Sequence, residues 1–350
     1  MISKKNFEKE YIQEQIKKFP KVDPTKMEMT IFAFGLLDEL IRCGAPLIFK
    51  GGTSLLLLLD NPQRVSTDID IIVPKECDFD KIFEKVKKRF PFYAGEERGE
   101  NTNQHFRHFY FMFSGPISEK ECRINLDVAF EDNPYQCLVE KEVSLEFILT
   151  TGNKTFVKLP SINSIIGDKL TAFAPTTIGV NPFMTSLGKK IDNRLQVMKQ
   201  FYDVARLYDL VSDINEALSS YKKCQKFENE FRGTSYSVKE TLLDTFKHAA
   251  ILTSMGLWDK SSKFYKDVAK AGIQGLATNI FSGKYNQIDA SNDGAKLMHL
   301  VSCLLSGVSL DERKDYKGKE LLSFKAVPNK KSFELIRTSL ANLKDAKLLD

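Results

Sequence analysis

The sequence predicts an α+β protein, with a mixed sheet flanked by helices in an N-terminal domain and a helical C-terminal domain. Short segments rich in β-branched residues alternate with helical periods up to about residue 160, and strand signals are scarce beyond it. With 350 residues, 42% hydrophobic and 28% charged, the chain is long enough to bury two cores. We therefore place the domains at 1–157 and 158–350.

The first elements are two helices, predicted over 4–19 and 26–43, where apolar residues recur at helical spacing. Pro24 lies near the start of the second helix, where a helix tolerates proline. Gly44-Ala45-Pro46 then ends that helix. The apolar triplet at 47–49 is a candidate for a short strand.

A glycine turn and an acidic strand come next. Gly51-Gly52 interrupts the chain, and Thr53-Ser54 followed by leucines indicates a helix that opens on this turn. The β-branched residues of 66–73 predict a strand. Periodicity predicts the remaining elements: a helix at 79–90, strands at 106–113, 123–130, 143–149 and 155–159, and helices at 195–210, 238–255, 295–305 and 332–343.

Charge and cysteine content exclude several classes of protein. The formal net charge of +5 is compatible with an acidic substrate but does not require nucleic acid. The six cysteines are scattered without a CxxC pair, which argues against a thiolate metal site and a disulfide framework. The N-terminus has no signal-peptide pattern, and the longest apolar run, Leu55–Leu59, is too short to span a bilayer. We expect no membrane association and a cytoplasmic protein.

The acidic strand carries the strongest chemical signal. Alternate residues of a strand project from one face, so Asp68 and Asp70 point together while Ile69 and Ile71 point to the buried face. Two neighbouring carboxylates repel each other unless a cation lies between them, and Mg²⁺ (or Mn²⁺) prefers such oxygen ligands. Asp127 is a lone acid inside another apolar strand. If the two strands are neighbours, the three acids form a site for two metal ions.

Two metal ions suit nucleotidyl transfer, because one activates the attacking hydroxyl and the other neutralises the departing pyrophosphate. The turn formed by Gly51, Gly52, Thr53 and Ser54 fits the same chemistry, since glycines let the backbone approach phosphate and helix N-termini favour anions. Each feature alone has a plain structural explanation: a solvated acid pair, a chain reversal, an edge-strand carboxylate. Their order along the chain favours a nucleoside triphosphate site.

At this point the motifs resemble a known family. FKGGTSLLLLL…RVSTDIDIIV is similar to the nucleotidyltransferases of the AbiEii/AbiGii toxin family, within the DNA polymerase beta superfamily. VKLPSINSIIGDKLTAFAPTTIG resembles the family's lysine-bearing helix, and KQFYDVARL its later aspartate-bearing helix. The resemblance covers roughly residues 45–210. Beyond 210 the chain is similar only in being helical.

The resemblance carries over by position. The turn residues 51–54 and the pair Asp68 and Asp70 match the motif. Lys169 matches the family's lysine, which implies a point charge on triphosphate oxygens, and Asp203 matches the later aspartate, which could orient that lysine or act on the acceptor. Many members have an acid three residues earlier, where this chain has Gln200. Asp127 rests on the strand argument, with less support from the family.

Some basic and histidine residues admit more than one interpretation. Arg64, just ahead of the acidic strand, could reach phosphate or be an ordinary surface arginine. Lys189-Lys190 and Arg194 are candidates for contact with a polyanionic acceptor. His105 and His108 lie on opposite faces of their strand, so we do not expect them to share a metal ion.

The hypothesis is transfer of a nucleoside monophosphate from an NTP to an acceptor hydroxyl. The resemblance implies the toxin of a bacterial toxin–antitoxin pair with a role in phage defence, a cognate antitoxin as partner, and RNA (the tRNA 3′ end) as acceptor. Transfer to a small molecule or a protein hydroxyl is an alternative, as is a nucleotide-binding regulator without turnover.

Overall fold

The computed structural model describes residues 1–98, 105–186, 189–324 and 329–349. The chain divides into two units, each described here by itself. The first comprises Met1–Ser161 together with Thr278–Gly283, and the second comprises Ile162–Ala277 together with Lys284–Asp350. The short segment Thr278–Gly283 therefore belongs to the first unit although the chain on both sides of it belongs to the second.

A seven-stranded mixed sheet forms the centre of the first unit. The strand order is β3-β4-β5-β2-β1-β7-β6, with β2–β5 and β1–β7 parallel and the other neighbours antiparallel. The strands are β1 (Ile48–Lys50), β2 (Ile69–Val73), β3 (Ala94–Glu97), β4 (Phe106–Ser114), β5 (Glu121–Phe130), β6 (Leu138–Glu142) and β7 (Phe156–Pro160).

Helices cover one face of this sheet. Side chains alternate between the two faces along each strand, and those on the covered face are apolar. Phe109, Phe111 and Phe113 of β4 are buried, whereas the residues between them are partly exposed. Phe32 from the longest helix of this unit stacks on Phe113 with ring centroids 3.7 Å apart. The helices of the first unit are α1 (Lys9–Lys18), α2 (Pro24–Arg42), α3 (Gly51–Leu58) and α4 (Phe79–Val86).

Two predictions for this unit are wrong in detail. The strand expected at 143–149 lies at Leu138–Glu142 instead, where it pairs with β7 in register. Residues 143–149 form turns, with Ile148 N–H donating to the Leu145 carbonyl, and they bury Phe147 as a loop side chain. The helix expected at 79–90 ends at Val86, with Lys87 as its C-cap, so Phe90 lies outside the helix.

Helices form most of the second unit. Gly167 lets two of them approach closely, since a Cβ there would lie 2.6 Å from the Ala217 carbonyl oxygen. The helices are α5 (Ile162–Ala172), α6 (Arg194–Tyr208), α7 (Ile214–Arg232), α8 (Val238–Thr253), α9 (Lys270–Ala277), α10 (Gln287–Ser306) and α11 (Lys330–Asp345), and a hairpin pairs β8 (Phe183–Ser186) with β9 (Lys189–Asp192). The α+β fold class is confirmed.

A buried aspartate of α8 holds the turn that follows α5. Asp244 accepts hydrogen bonds from the Thr176 N–H (3.0 Å) and the Thr177 hydroxyl (2.9 Å), and it pairs with His248 (2.9 Å). Burial disfavours the charged carboxylate, but the bond from His248 and those from the threonines outweigh it and lower the pKa of Asp244. Asp244 thus holds the PTTIG turn, although it lies 68 residues after Thr176 in the chain.

Candidate active site

Two of the predicted acids lie side by side on neighbouring strands. β2 and β5 are parallel, and their register pairs Asp70 with Asp127, so both side chains leave the same face of the sheet. Asp68 stands just before β2, two residues from Asp70. Its Oδ1 accepts a hydrogen bond from the Nδ2 of Asn125, 2.9 Å away, on β5. The hypothesis that the two acidic strands are neighbours is confirmed.

The carboxylate of Asp127 is hydrogen-bonded to a histidine on the next strand. His108 of β4 is opposite Asp127 in register, and its Nδ1 lies 2.7 Å from Asp127 Oδ1. This bond raises the pKa of His108 above its usual value, against burial and the nearby charge of Arg98. The two side chains are 48% and 38% exposed, so the pair is accessible from solvent.

The acids are thus flanked by bases. On the side of β2 away from β5, the antiparallel register places Lys50 of β1 opposite Asp70. A row of ionisable residues therefore crosses four strands in the order Lys50, Asp70, Asp127, His108. This alternation places basic side chains on both sides of the carboxylates.

The glycine turn fits closely against the acids. Gly51 has a φ of +76°, and a Cβ at this position would overlap the carboxylate of Asp70. A Cβ on Gly52 would lie 2.5 Å from Nη2 of Arg64. Arg64 is only 7% exposed and donates from Nη1 to the Val65 carbonyl oxygen, 3.1 Å away. Both glycines thus leave space that side chains of the acidic segment occupy.

The two hydroxyl residues after the glycines hold the turn together. Thr53 and Ser54 are fully buried. The Thr53 hydroxyl donates to the carbonyl oxygen of Asp68, and the Ser54 hydroxyl donates to the Gly51 carbonyl oxygen at 2.9 Å. Helix α3 begins at Gly51, so the first backbone N–H groups of the helix lie in the turn. These N–H groups, and not the hydroxyls, are the groups suited to an anion.

The lysine and the later aspartate lie in the second unit, where they form a buried ion pair. Lys169 of α5 and Asp203 of α6 are 5% and 2% exposed at the side chain, with Nζ and Oδ2 3.1 Å apart. Lys169 also donates to Oε1 of Gln200 at 3.0 Å. Gln200, which stands where many family members have an acid, therefore still contacts Lys169, as a neutral hydrogen-bond acceptor. Asp203 therefore contacts the Lys169 ammonium directly, and the two roles expected of Asp203 stay predictions.

The acidic side chains of the site supply oxygen ligands but do not converge on one point. Across the described ranges, no group of three or more His, Cys, Asp and Glu side chains stands close enough together to hold one. Asp68 is turned toward Asn125, and Asp127 toward His108. The chemistry nevertheless suits Mg²⁺ or Mn²⁺, since carboxylates on one sheet face at paired register supply hard oxygen ligands. The metal-ligand assignment stays a prediction.

The roles of Lys50, Asn125 and His108 toward these acids were not predicted. A signal for Asn125 exists in the sequence, because it precedes Asp127 by two residues, as Asp68 precedes Asp70. The pairing of His108 depends on strand order, which no local pattern reveals.

Comparison with known proteins then decides the family. The profile of the nucleotidyl transferase AbiEii toxin family, a type IV toxin–antitoxin system, matches residues 36–272. The chain belongs to this family. It is therefore a nucleotidyltransferase of the toxin–antitoxin class.

The solved structures that this chain resembles have low sequence identity to it. Two H. pylori crystal structures are similar at 12% identity: JHP933 from Helicobacter pylori (TM-score 0.44, covering 79% of this chain and 93% of that one) and a protein assigned as a nucleotidyltransferase (TM-score 0.43, 79% and 96%). No curated protein matches this AbiEii family chain. Within the described residues, no helix combines the length and apolar character that crossing a membrane requires.

Proposed function

We propose that this AbiEii family enzyme transfers a nucleoside monophosphate from an NTP to a hydroxyl group of RNA, at the tRNA 3′ end, with Mg²⁺ or Mn²⁺. The observation that carries the proposal is the register of β2 and β5, which pairs Asp70 with Asp127 beside the Gly51 turn. A turn that can approach phosphate and adjacent carboxylates that can hold a cation are the two parts that nucleotidyl transfer needs.

The residues have separate roles in this proposal. Asp68, Asp70 and Asp127 would hold the divalent metal, which when bound neutralises the departing pyrophosphate and acidifies the acceptor hydroxyl. The backbone N–H groups at Gly51 and Gly52 bind triphosphate oxygens, because they begin a helix whose first N–H groups have no acceptor within it. Arg64 supports the turn from behind, and its positive charge favours the anion.

Lys169 and Asp203 are the residues of the second unit that match the family's motifs. We assign the Lys169 ammonium to the triphosphate and Asp203 to its orientation, because the ion pair fixes the ammonium in one position. The residues that we assign to nucleotide binding are Gly51, Gly52, Thr53, Ser54, Arg64 and Lys169.

The test is incubation of the full chain with each α-labelled NTP, Mg²⁺ and total tRNA. We expect label in tRNA with one preferred nucleotide, and loss of at least about 100-fold in rate for Asp70→Asn, since a metal ligand is removed. Lys154→Gln is the matched control, because Lys154 is exposed and lies in the loop between β6 and β7. Incorporation by Asp70→Asn at the wild-type rate would contradict the proposal.

The acceptor and the partner are tested by two further arms. Label that survives nuclease but not protease would identify a protein acceptor instead of RNA. As a toxin, the enzyme is expected to slow growth when produced alone, and co-production of its cognate antitoxin should restore growth. NTPs and tRNA are cytoplasmic molecules, so the proposal places the enzyme in the cytoplasm.

A further inference from the structure

Next to the acids, the same sheet face carries a tyrosine between two arginines. Tyr110 of β4 is opposite Asn125 in register, and Asn125 is the residue that holds Asp68. The guanidinium carbon of Arg123 lies 4.3 Å from the centroid of the Tyr110 ring, and that of Arg98 lies 5.8 Å from it. We name Arg98, Tyr110 and Arg123 the aromatic platform.

The platform is accessible from solvent. Glu96 of β3 is opposite Tyr110 in register, on the side away from Asn125, so one acid also borders the ring. Both arginines are exposed and Tyr110 is half-buried. Within residues 1–98 and 105–186, neither guanidinium forms an ion pair with a carboxylate. Two positive charges around one ring repel each other. A bound anion would relieve this repulsion.

Strand order places the platform on the opposite side of the acids from the glycine turn. From Lys50 and the Gly51 turn at β1, the sheet continues through Asp70 on β2 and Asp127 on β5 to Tyr110 on β4. Neighbouring strands are roughly 5 Å apart, and residues two apart on a strand roughly 7 Å apart, so Tyr110 lies within one nucleotide's reach of Asp127.

We propose that the aromatic platform binds the acceptor RNA strand beside its reacting 3′ end. In an in-line displacement, the attacking and departing oxygens stand on opposite sides of the phosphorus. If the departing pyrophosphate lies at the glycine turn, the acceptor enters from the side of β4 and β5, where the platform is. The ring of Tyr110 stacks on a base, and the two guanidinium groups contact backbone phosphates. The assignment rests on the proposed function and adds the site of the acceptor.

The first experiment measures RNA affinity without turnover. A fluorescein-labelled single-stranded RNA oligonucleotide is titrated with the full chain, without NTP, at several salt concentrations. For Arg123→Gln and Arg98→Gln we expect the dissociation constant to rise about tenfold and the salt slope to fall by about one. Tyr110→Leu removes the stacking ring and should weaken binding by about tenfold, whereas Tyr110→Phe keeps the ring and should stay within about twofold. Lys154→Gln changes the net charge equally at the other edge of the sheet and should bind as the wild type does.

The second experiment separates acceptor from donor. With label transfer as the readout, the Arg123→Gln variant should show a raised KM for tRNA and an unchanged KM for NTP. A raised KM for NTP with unchanged RNA affinity would assign the guanidinium groups to the triphosphate and overturn the proposal. Unchanged values for both substrates, or no RNA binding by the wild type, would also overturn it. Asp70→Asn should abolish transfer and leave RNA affinity intact, so transfer that persists in Asp70→Asn would count against the proposed function and not against the platform.

Discussion

The carboxylate of Asp70 fills the space beside the Cα of Gly51. A side chain at position 51 would overlap it. The positive φ of Gly51 adds a second reason for glycine at this position. Close backbone approach was expected at the turn for the sake of phosphate. The structure shows that the acid itself uses that space.

Gly51→Ala is therefore predicted to move Asp70. We expect the transfer rate to fall about 100-fold, because a displacement of about 1 Å at a catalytic group has effects of this size. The free energy of unfolding should fall by about 1–3 kcal/mol, the usual cost of a non-glycine residue in a strained backbone conformation. Steady-state kinetics and urea unfolding measure the two effects. Wild-type kinetics in Gly51→Ala would show that Asp70 is not needed where it lies.

His108 is predicted to act through Asp127. Without its hydrogen bond the carboxylate loses its orientation, so His108→Ala should raise the Mn²⁺ concentration for half-saturation by about tenfold. His108→Asn can still place an N–H near the position of Nδ1 and should stay within about threefold of wild type. Electron paramagnetic resonance of free Mn²⁺ reports binding without turnover. Equal affinities in the alanine and asparagine variants would contradict this role.

Residue patterns predicted the acids and their shared face but not their neighbours. Alternate side chains of a strand share a face, and this depends only on their positions in the chain. Asp68 and Asp70 could therefore be assigned to one face from the sequence alone. The contacts of Asp127 with His108 and of Asp68 with Asn125 depend on which strands are adjacent. Strand adjacency is set by the packing of the whole sheet, which a single sequence does not display.

At the scale of elements, the buried pair of Lys169 and Asp203 joins α5 to α6. A buried charge without a partner is costly, whereas replacing both charges by apolar groups can be neutral. We expect Asp203→Leu to lower the free energy of unfolding by about 3–5 kcal/mol. Lys169→Met combined with Asp203→Leu should recover most of that loss while transfer remains abolished. Urea unfolding of the single and double variants tests this, and additive losses would contradict it.

The anchor of α8 on the turn after α5 makes a prediction about pH. Because the pKa of Asp244 is lowered in the folded state, its stabilising effect is complete above its unfolded pKa of about 4 and is lost as pH falls through the lower folded value. Asp244→Ala should lower the free energy of unfolding at pH 7 by at least about 2 kcal/mol, since several buried hydrogen bonds are lost. The difference from wild type should shrink below pH 4. A difference independent of pH between 7 and 3 would argue against ionised Asp244 as the cause.

Long periodic elements were predicted well, and short or polar ones were not. Helix 26–43 matches α2, and strands 106–113 and 123–130 match β4 and β5, because each buries a continuous apolar face. Strand β3, with the sequence AGEE, has no apolar alternation and takes its conformation from pairing with β4. Helix α7 is largely polar, so its periodicity is faint in the sequence although it packs closely on α5.

At the scale of the whole molecule, the segment Thr278–Gly283 lies between α9 and α10 in the chain but belongs to the sheet unit. Its Asn279 carbonyl accepts from the Val65 N–H (2.9 Å), and its Phe281 N–H donates to the Gln63 carbonyl (2.9 Å). Lys26 of α2 also donates to the hydroxyl of Thr278 at 2.9 Å. The loop that leads into the acidic strand therefore depends on residues more than 200 positions later.

A fragment of residues 1–161 is predicted to be less stable than the same unit within the full chain. It lacks the backbone partners of Gln63 and Val65 and exposes the ring of Phe19, which contacts Phe281 with centroids 5.6 Å apart. We expect native-state hydrogen exchange to be faster around residues 63–66 in the fragment than in the full chain, by at least about tenfold, because a buried hydrogen bond is worth about 1 kcal/mol or more. Equal protection at these amides would show that the segment is dispensable.

The return of the chain at Thr278–Gly283 has an evolutionary consequence. Neither unit is encoded by one uninterrupted stretch of the gene, so a single recombination event cannot transplant the sheet unit complete onto a foreign partner. A chimaera joined at residue 161 would keep the glycine turn and the acids. It would lose the segment Thr278–Gly283, which holds the loop ahead of the acidic strand. We therefore expect proteins that descend from this chain to diverge by substitutions within each unit more readily than by exchange of whole units.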